Sequence, residues 1–234
     1  MYYDWTYLVL VLPAVIFAMW ASYRVNSTFK RYSTQWSSRR VPAEAVARMV
    51  LDRNGLRHIP IEQISGNLTD HYDPKANVIR LSDSVYGNCS TAAIGVACHE
   101  AGHAVQYAQG YKPIMLRQSI IPITNIGSKM AMPLILVGLL FVNSAALSNA
   151  FITLGIAAFG LSTLLQLVTL NVEFDASRRA MAAIEDSGYL VGEELDGAKK
   201  TLRAAAMTYV AALAVSLMQL LRLIVLFGNR RRRD

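Results

Sequence analysis

At 234 residues the chain is long enough for one compact domain, but 53% hydrophobic residues against 17% charged is high for a soluble one. The net charge of +7 would suit a nucleic-acid ligand, yet the Lys and Arg residues cluster beside apolar segments (Arg24, Lys30, Arg31, Arg39, Arg40; Lys129; Arg178, Arg179; Lys199, Lys200, Arg203). Membrane retention accounts for that placement, and no nucleic-acid partner is expected. Two cysteines, Cys89 and Cys98, imply no disulfide framework and lack the spacing of a thiol metal site.

Residues 1–23 read as an N-terminal membrane anchor. Tyr7 to Tyr23 carries no charge and no small-residue cleavage site, and Tyr and Trp flank it as interfacial anchors do.

Residues 24–128 are polar enough to form a small α+β region outside the bilayer. The run Pro42 to Leu56 has helical periodicity, with Pro near its start and Gly55 as a stop. His58 to Ile64 is expected to be a strand. Asn67 to His71 and Asn77 to Ser82 follow as a hairpin around Asp73-Pro74-Lys75-Ala76-Asn77. Ser90 then offers an N-cap to a helix over Thr91 to Gln109, ended by Gly110.

Residues 129–170 read as a transmembrane helical hairpin. Its arms are about Met130 to Leu147 and Phe151 to Leu170, with the turn at Ser148 and Asn149. The polar segment 171–203 is expected to hold a short helix over Val172 to Glu185, a break at Gly188 and a second helix from about Glu193. Residues 204–234 form an apolar helix interrupted by Arg222 and ending in Arg230 to Arg233, which either spans or lies along the interface.

The chemistry concentrates in His99-Glu100-Ala101-Gly102-His103, an HExxH sequence. A helix puts residues four apart on one face, so both imidazoles can reach one zinc ion. Glu100, one step round, can act as base toward a water whose pKa the zinc lowers. The alternative is two surface histidines around a solvated carboxylate. The strand Asn77 to Ser82 is expected to offer an exposed edge for an extended substrate.

A catalytic zinc site needs a third protein ligand and one open position. His58, His71 or a downstream carboxylate could fill the third place. Glu173 is the best candidate, because it stands just past the second hairpin arm and the hairpin returns the chain to the side it left. The alternative for Glu173 is a helix-start acid favoured by the dipole.

The segments RVNSTFKRYS, LTDHYDP, NVIRLS, AAIGVACHEAGHAVQYAQGY, QLVTLNVEFDASRRA and AAMTYVAA together resemble the YugP-type neutral zinc metallopeptidases of bacterial membranes. More distantly they are similar to the membrane gluzincins of the HtpX and CAAX prenyl protease kind. The resemblance spans nearly the whole chain. It implies zinc on His99, His103 and Glu173, Glu100 as base, and a multi-pass protein of the bacterial cell membrane. Those distant relatives carry an aspartate four residues after the ligand glutamate, and here that position is Ser177.

Asp175, two residues after Glu173, is a candidate to orient a zinc histidine, although an ideal helix turns it away. His71 is a candidate to donate to an oxyanion or cap the metal. Its alternative is a turn residue bonding locally between Asp70 and Asp73. Tyr72 and Tyr107 are candidate site groups with packing as the alternative.

The expected fold is a mainly α integral membrane protein, with transmembrane helices and a small α+β gluzincin-like zinc-peptidase unit containing the HExxH helix and an edge-strand hairpin. The expected function is zinc-dependent endopeptidase action on protein or peptide substrates at the lipid bilayer, with quality control of membrane proteins suggested by the HtpX resemblance. The alternative is a non-catalytic membrane scaffold with a structural zinc site. An intramembrane protease would need an acidic residue within a span, and residues 130–170 contain none. Basic residues beside the spans put 24–129 and 171–203 in the cytoplasm, while Arg230 to Arg233 disagree if the last segment crosses fully.

Overall fold

The computed structural model describes residues 4–141 and 143–228. Helices dominate: α1 (Leu12–Tyr32, preceded by a π-helical stretch over Tyr7–Val11), α2 (Ala43–Arg53), α3 (Thr91–Ala108), α4 (Lys112–Leu140), α5 (Ala145–Ser187) and α6 (Glu193–Phe227). Three short strands, β1 (Ile61–Ile64), β2 (His71–Asp73) and β3 (Val78–Ser82), lie between α2 and α3 in sequence. The chain divides into two compact units. One comprises the described parts of Met1–Trp20, Leu116–Leu170 and Tyr209–Asp234; the other comprises Ala21–Met115 and Asn171–Thr208.

In the first unit, parts of α1, α4, α5 and α6 belong to four helices long and apolar enough to cross a membrane. Glycines let α4 and α5 approach closely. A Cβ on Gly138 would come within 2.9 Å of the Ser148 carbonyl oxygen, and one on Gly155 within 2.7 Å of that of Ala131. Thr163 and Ser216 join α5 to α6 through their hydroxyls, 2.8 Å apart. Arg222 pairs with Asp4 and lies over the Tyr7 ring, so the charge that interrupts the apolar run of α6 is matched.

The hairpin differs from expectation. Ser148 and Asn149 lie inside α5, which begins at Ala145 and not after them, and the Ser144 carbonyl accepts from the Ser148 N–H. Two small polar residues whose backbone bonds continue within the helix do not end it. α4 starts at Lys112, well before the expected 129, and carries Pro122 and Pro133 in its interior. α5 runs on without a break from the apolar segment through Ser187, so no separate short helix begins at Val172. The Gly188 break and a helix from Glu193 are as expected, with Gly188 and Gly192 both left-handed. Arg230 to Arg233 lie outside the described residues.

The second unit is built around α3. Ser90 caps it by accepting from the Ala93 N–H, and left-handed Gly110 follows its end. Its Ala- and Gly-rich surface lets neighbours pack closely, and Ile94, Ala97 and Cys98 join Leu51 of α2, Ile79 and Leu81 of β3 and Ile184 of α5 in one core.

The sheet order is β1-β3-β2, with β1 parallel and β2 antiparallel to β3. β3 is therefore central, and the expectation that it offers an exposed edge is corrected: the edges belong to β1 and β2. Four of the five β3 residues are buried, as a strand flanked on both sides requires. The hairpin turn forms as expected, Asp73 accepting from the N–H groups of Lys75 and Ala76. β2 starts later than expected, because Leu68 is left-handed and Asp70 spends its carboxylate on the N–H and hydroxyl of Ser82.

Candidate metal centre

His99 and His103 stand one turn apart on α3, their ring centroids 4.7 Å apart. Glu173 comes from α5, well inside that helix, which removes the reading of a helix-start acid. Its Oε2 lies 3.2 Å from His99 Nε2 and 3.3 Å from His103 Nε2. These three residues form a group whose candidate ligand atoms all lie within 4.8 Å of one another. His58 and His71 are not among them.

The donor set fits a zinc ion. Two ligand atoms about 2.0–2.1 Å from a tetrahedral zinc stand roughly 3.3–3.4 Å apart, and the carboxylate oxygen is 3.2 Å and 3.3 Å from the two imidazole nitrogens, close to that separation. The far nitrogens are held as well. Ser177 Oγ is 3.1 Å from His99 Nδ1, and Gln106 Oε1 is 3.0 Å from His103 Nδ1.

Gln106 has one orientation open to it. Its amide nitrogen donates to the Val172 carbonyl and to Asp175 Oδ2, both at 2.9 Å, so its oxygen must face His103. An acceptor there keeps the proton on His103 Nδ1 and leaves the Nε2 lone pair for a cation. Asp175 is fixed in turn by Arg178 and Arg179. It therefore reaches a site histidine through an intermediary, which reconciles its position on the helix with an orienting role.

Burial alone would raise the Glu173 carboxyl, but hydrogen bonds from His103 and His99 outweigh it and hold the group well below the usual carboxylate range. For His103, burial lowers the ring and the Glu173 hydrogen bond with the Glu100 and Glu173 charges overcomes it, leaving a net rise. The cluster thus keeps an ionised carboxylate in a buried place and favours positive charge beside it.

Glu100 is buried at 8% exposure, and its Oε2 accepts the Tyr72 N–H at 2.9 Å. That N–H points away from β3, so Tyr72 turns the outer edge of β2 toward the motif helix. His71 is exposed, with Nδ1 2.9 Å from the Thr69 carbonyl oxygen, which is the local turn contact. The Tyr72 and Tyr107 rings pack against each other at 5.5 Å.

Sequence reasoning missed Gln106, although its place three residues after His103 on one helix face was a signal. Ser177 registered only as a departure from the aspartate of distant relatives. Its hydroxyl reaches His99 Nδ1.

A family model described as "Putative neutral zinc metallopeptidase" matches residues 7–228. The chain is 44% identical over 226 residues to "Putative membrane protease YugP" of Bacillus subtilis (strain 168), covering 96% of this chain and 98% of that one. No solved structure matches. The match over nearly its whole length places the chain in this family of membrane-associated neutral zinc metallopeptidases.

Proposed function

We propose that the protein is a multi-pass membrane endopeptidase of the gluzincin arrangement, in which His99, His103 and Glu173 hold one zinc ion and Glu100 is the general base. The observation that carries this reading is the grouping of His99, His103 and Glu173, with the Glu173 oxygen 3.2 Å and 3.3 Å from the two imidazole nitrogens, a buried carboxylate next to His99 in sequence and a strand edge beside that carboxylate. The name of the Bacillus relative agrees.

Zinc, when bound, polarises the scissile carbonyl and brings the pKa of a water toward neutrality. Glu100 takes a proton from the attacking water as the new C–O bond forms. It passes that proton to the amide nitrogen as the C–N bond breaks. The edge of β2 aligns an extended peptide by main-chain pairing. Three ligands leave a fourth position open, as a catalytic site requires and a structural site does not. The basic residues around the second unit support an active site on the cytoplasmic side of the bacterial membrane, and on this reading loosened segments of membrane proteins are the substrates in a quality-control role.

The test is to purify wild type and Glu100→Gln in detergent, then measure zinc by elemental analysis and cleavage of casein. Both should hold about one zinc per chain, and only the wild type should cleave. Equal cleavage by both removes Glu100 from its role, and absence of zinc from both ends the reading.

A further inference from the structure

Away from the metal centre, a groove of about 450 Å³ runs between α5 and α6 within the second unit. Phe174, Met181, Leu202 and Ala206 give it an apolar wall, while Arg178, Lys199 and Arg203 line it against a single carboxylate, Glu185. Lys199 and Arg203 are four apart on α6, both exposed, and neither makes an ion pair among the described residues. Arg178 is exposed and shares Asp175 with Arg179.

The same two helices supply membrane-spanning candidates. Phe174 follows Leu170, where the first unit's share of α5 ends, by about one turn, and Ala206 lies in the apolar run of α6, three residues before the first unit's share of that helix begins at Tyr209. A cationic rim over an apolar wall, formed where two helices meet their apolar segments, complements a molecule with an anionic head and a hydrocarbon body. Basic pockets beside spans take anionic lipid headgroups for this reason.

We propose that this groove binds the headgroup of an anionic phospholipid. The phosphate sits among Lys199, Arg203 and Arg178, and the glycerol and first acyl carbons lie over Phe174, Met181 and Leu202. Ser177 lines the same groove while its hydroxyl bonds His99, so the lipid lies against the side chain that orients a residue of the candidate metal centre. The inference rests on charge and shape, and it stands whether or not the chain cleaves peptides.

The experiment is native mass spectrometry of the full chain in detergent with equimolar phosphatidylglycerol and phosphatidylcholine. Each cation near the phosphate is worth about fivefold in affinity. The wild type should retain phosphatidylglycerol preferentially, and Lys199→Gln with Arg203→Gln should lower that preference about 25-fold. Glu185→Gln should raise it about fivefold, and this arm decides the matter if the double variant melts well below the wild type. Equal retention of both lipids by the wild type overturns the proposal, as does a preference that none of these substitutions moves. Displacement by equimolar inorganic phosphate would reduce the groove to a simple anion site. Displacement by an acidic peptide at lower concentration would make it a peptide groove.

Discussion

A Cβ placed on Gly102 would stand 2.8 Å from the carbonyl oxygen of Ala176. The fourth residue of the motif is therefore a point where α3 and α5 touch backbone to backbone, with Gly102 one residue before His103 and Ala176 three after Glu173. Gly102→Ala must push the helices apart. Overpacking of this kind costs about 1–3 kcal/mol, offset by up to about 1 kcal/mol of helix propensity. The expected outcome is a lower melting temperature together with weaker zinc retention in a chelator titration. Unchanged zinc retention would show that the contact does not set the ligand spacing.

Gln106→Leu removes the acceptor at His103 Nδ1 and leaves Asp175 without its amide partner. Loss of such an orienting group typically weakens metal binding about 10–100-fold. Competition with a fluorescent zinc chelator measures it, and circular dichroism checks the fold. Affinity equal to wild type would show that the amide only fills space.

The candidate ligands come from helices far apart in sequence, so metal binding and folding are linked. Removing zinc with a chelator should lower the melting temperature, and returning it should restore the original value. At free zinc about 100 times the dissociation constant the gain is about 2.7 kcal/mol. Glu173→Gln should show little of this zinc-dependent rise. A melting temperature indifferent to chelator in the wild type would contradict the ligand assignment.

Asp73 provides a pH signature away from the metal. The Arg80 guanidinium and the N–H groups of Ala76 and Lys75 lower its pKa from 3.8 to about 2. A depressed folded value means stability present above pH 3.8 and lost as pH falls through about 2. Denaturant midpoints of wild type and Asp73→Asn, both kept in chelator, should differ at pH 7 and converge as pH falls from 4 toward 2. A gap that persists at pH 2 would trace the effect to the turn's geometry instead of its charge.

The two histidines and Glu100 were legible because a helix's period fixes which residues share a face. Glu173 was legible as a candidate only, since nothing local ties residue 173 to residue 99; the α3–α5 packing does that. Gln106 escaped because its spacing from His103 shows only that the two share a helix face; which way the amide faces is fixed by Val172 and Asp175, far off in sequence. The order of the strands was beyond the sequence as well: the turn at Asp73 to Asn77 marks Asn77 to Ser82 as a strand but does not say that β1 pairs on its far side. The turn of the helical hairpin was misplaced for a physical reason, since two small polar residues, Ser148 and Asn149, cost an apolar helix little when their backbone bonds stay within it.

The strand edge beside Glu100 is short, since β2 has three residues and turns one outward N–H, that of Tyr72, toward the motif helix. Each main-chain hydrogen bond gained there is worth about 0.5–1.5 kcal/mol net, so on the proposed reading a free peptide is held weakly. Tethering compensates, because a substrate anchored in the same bilayer meets the site at an effective concentration far above that of a dissolved one. Discrimination then belongs to co-residence and local unfolding: a chain is cut because it shares the membrane and has a slack segment, with its side chains a minor influence.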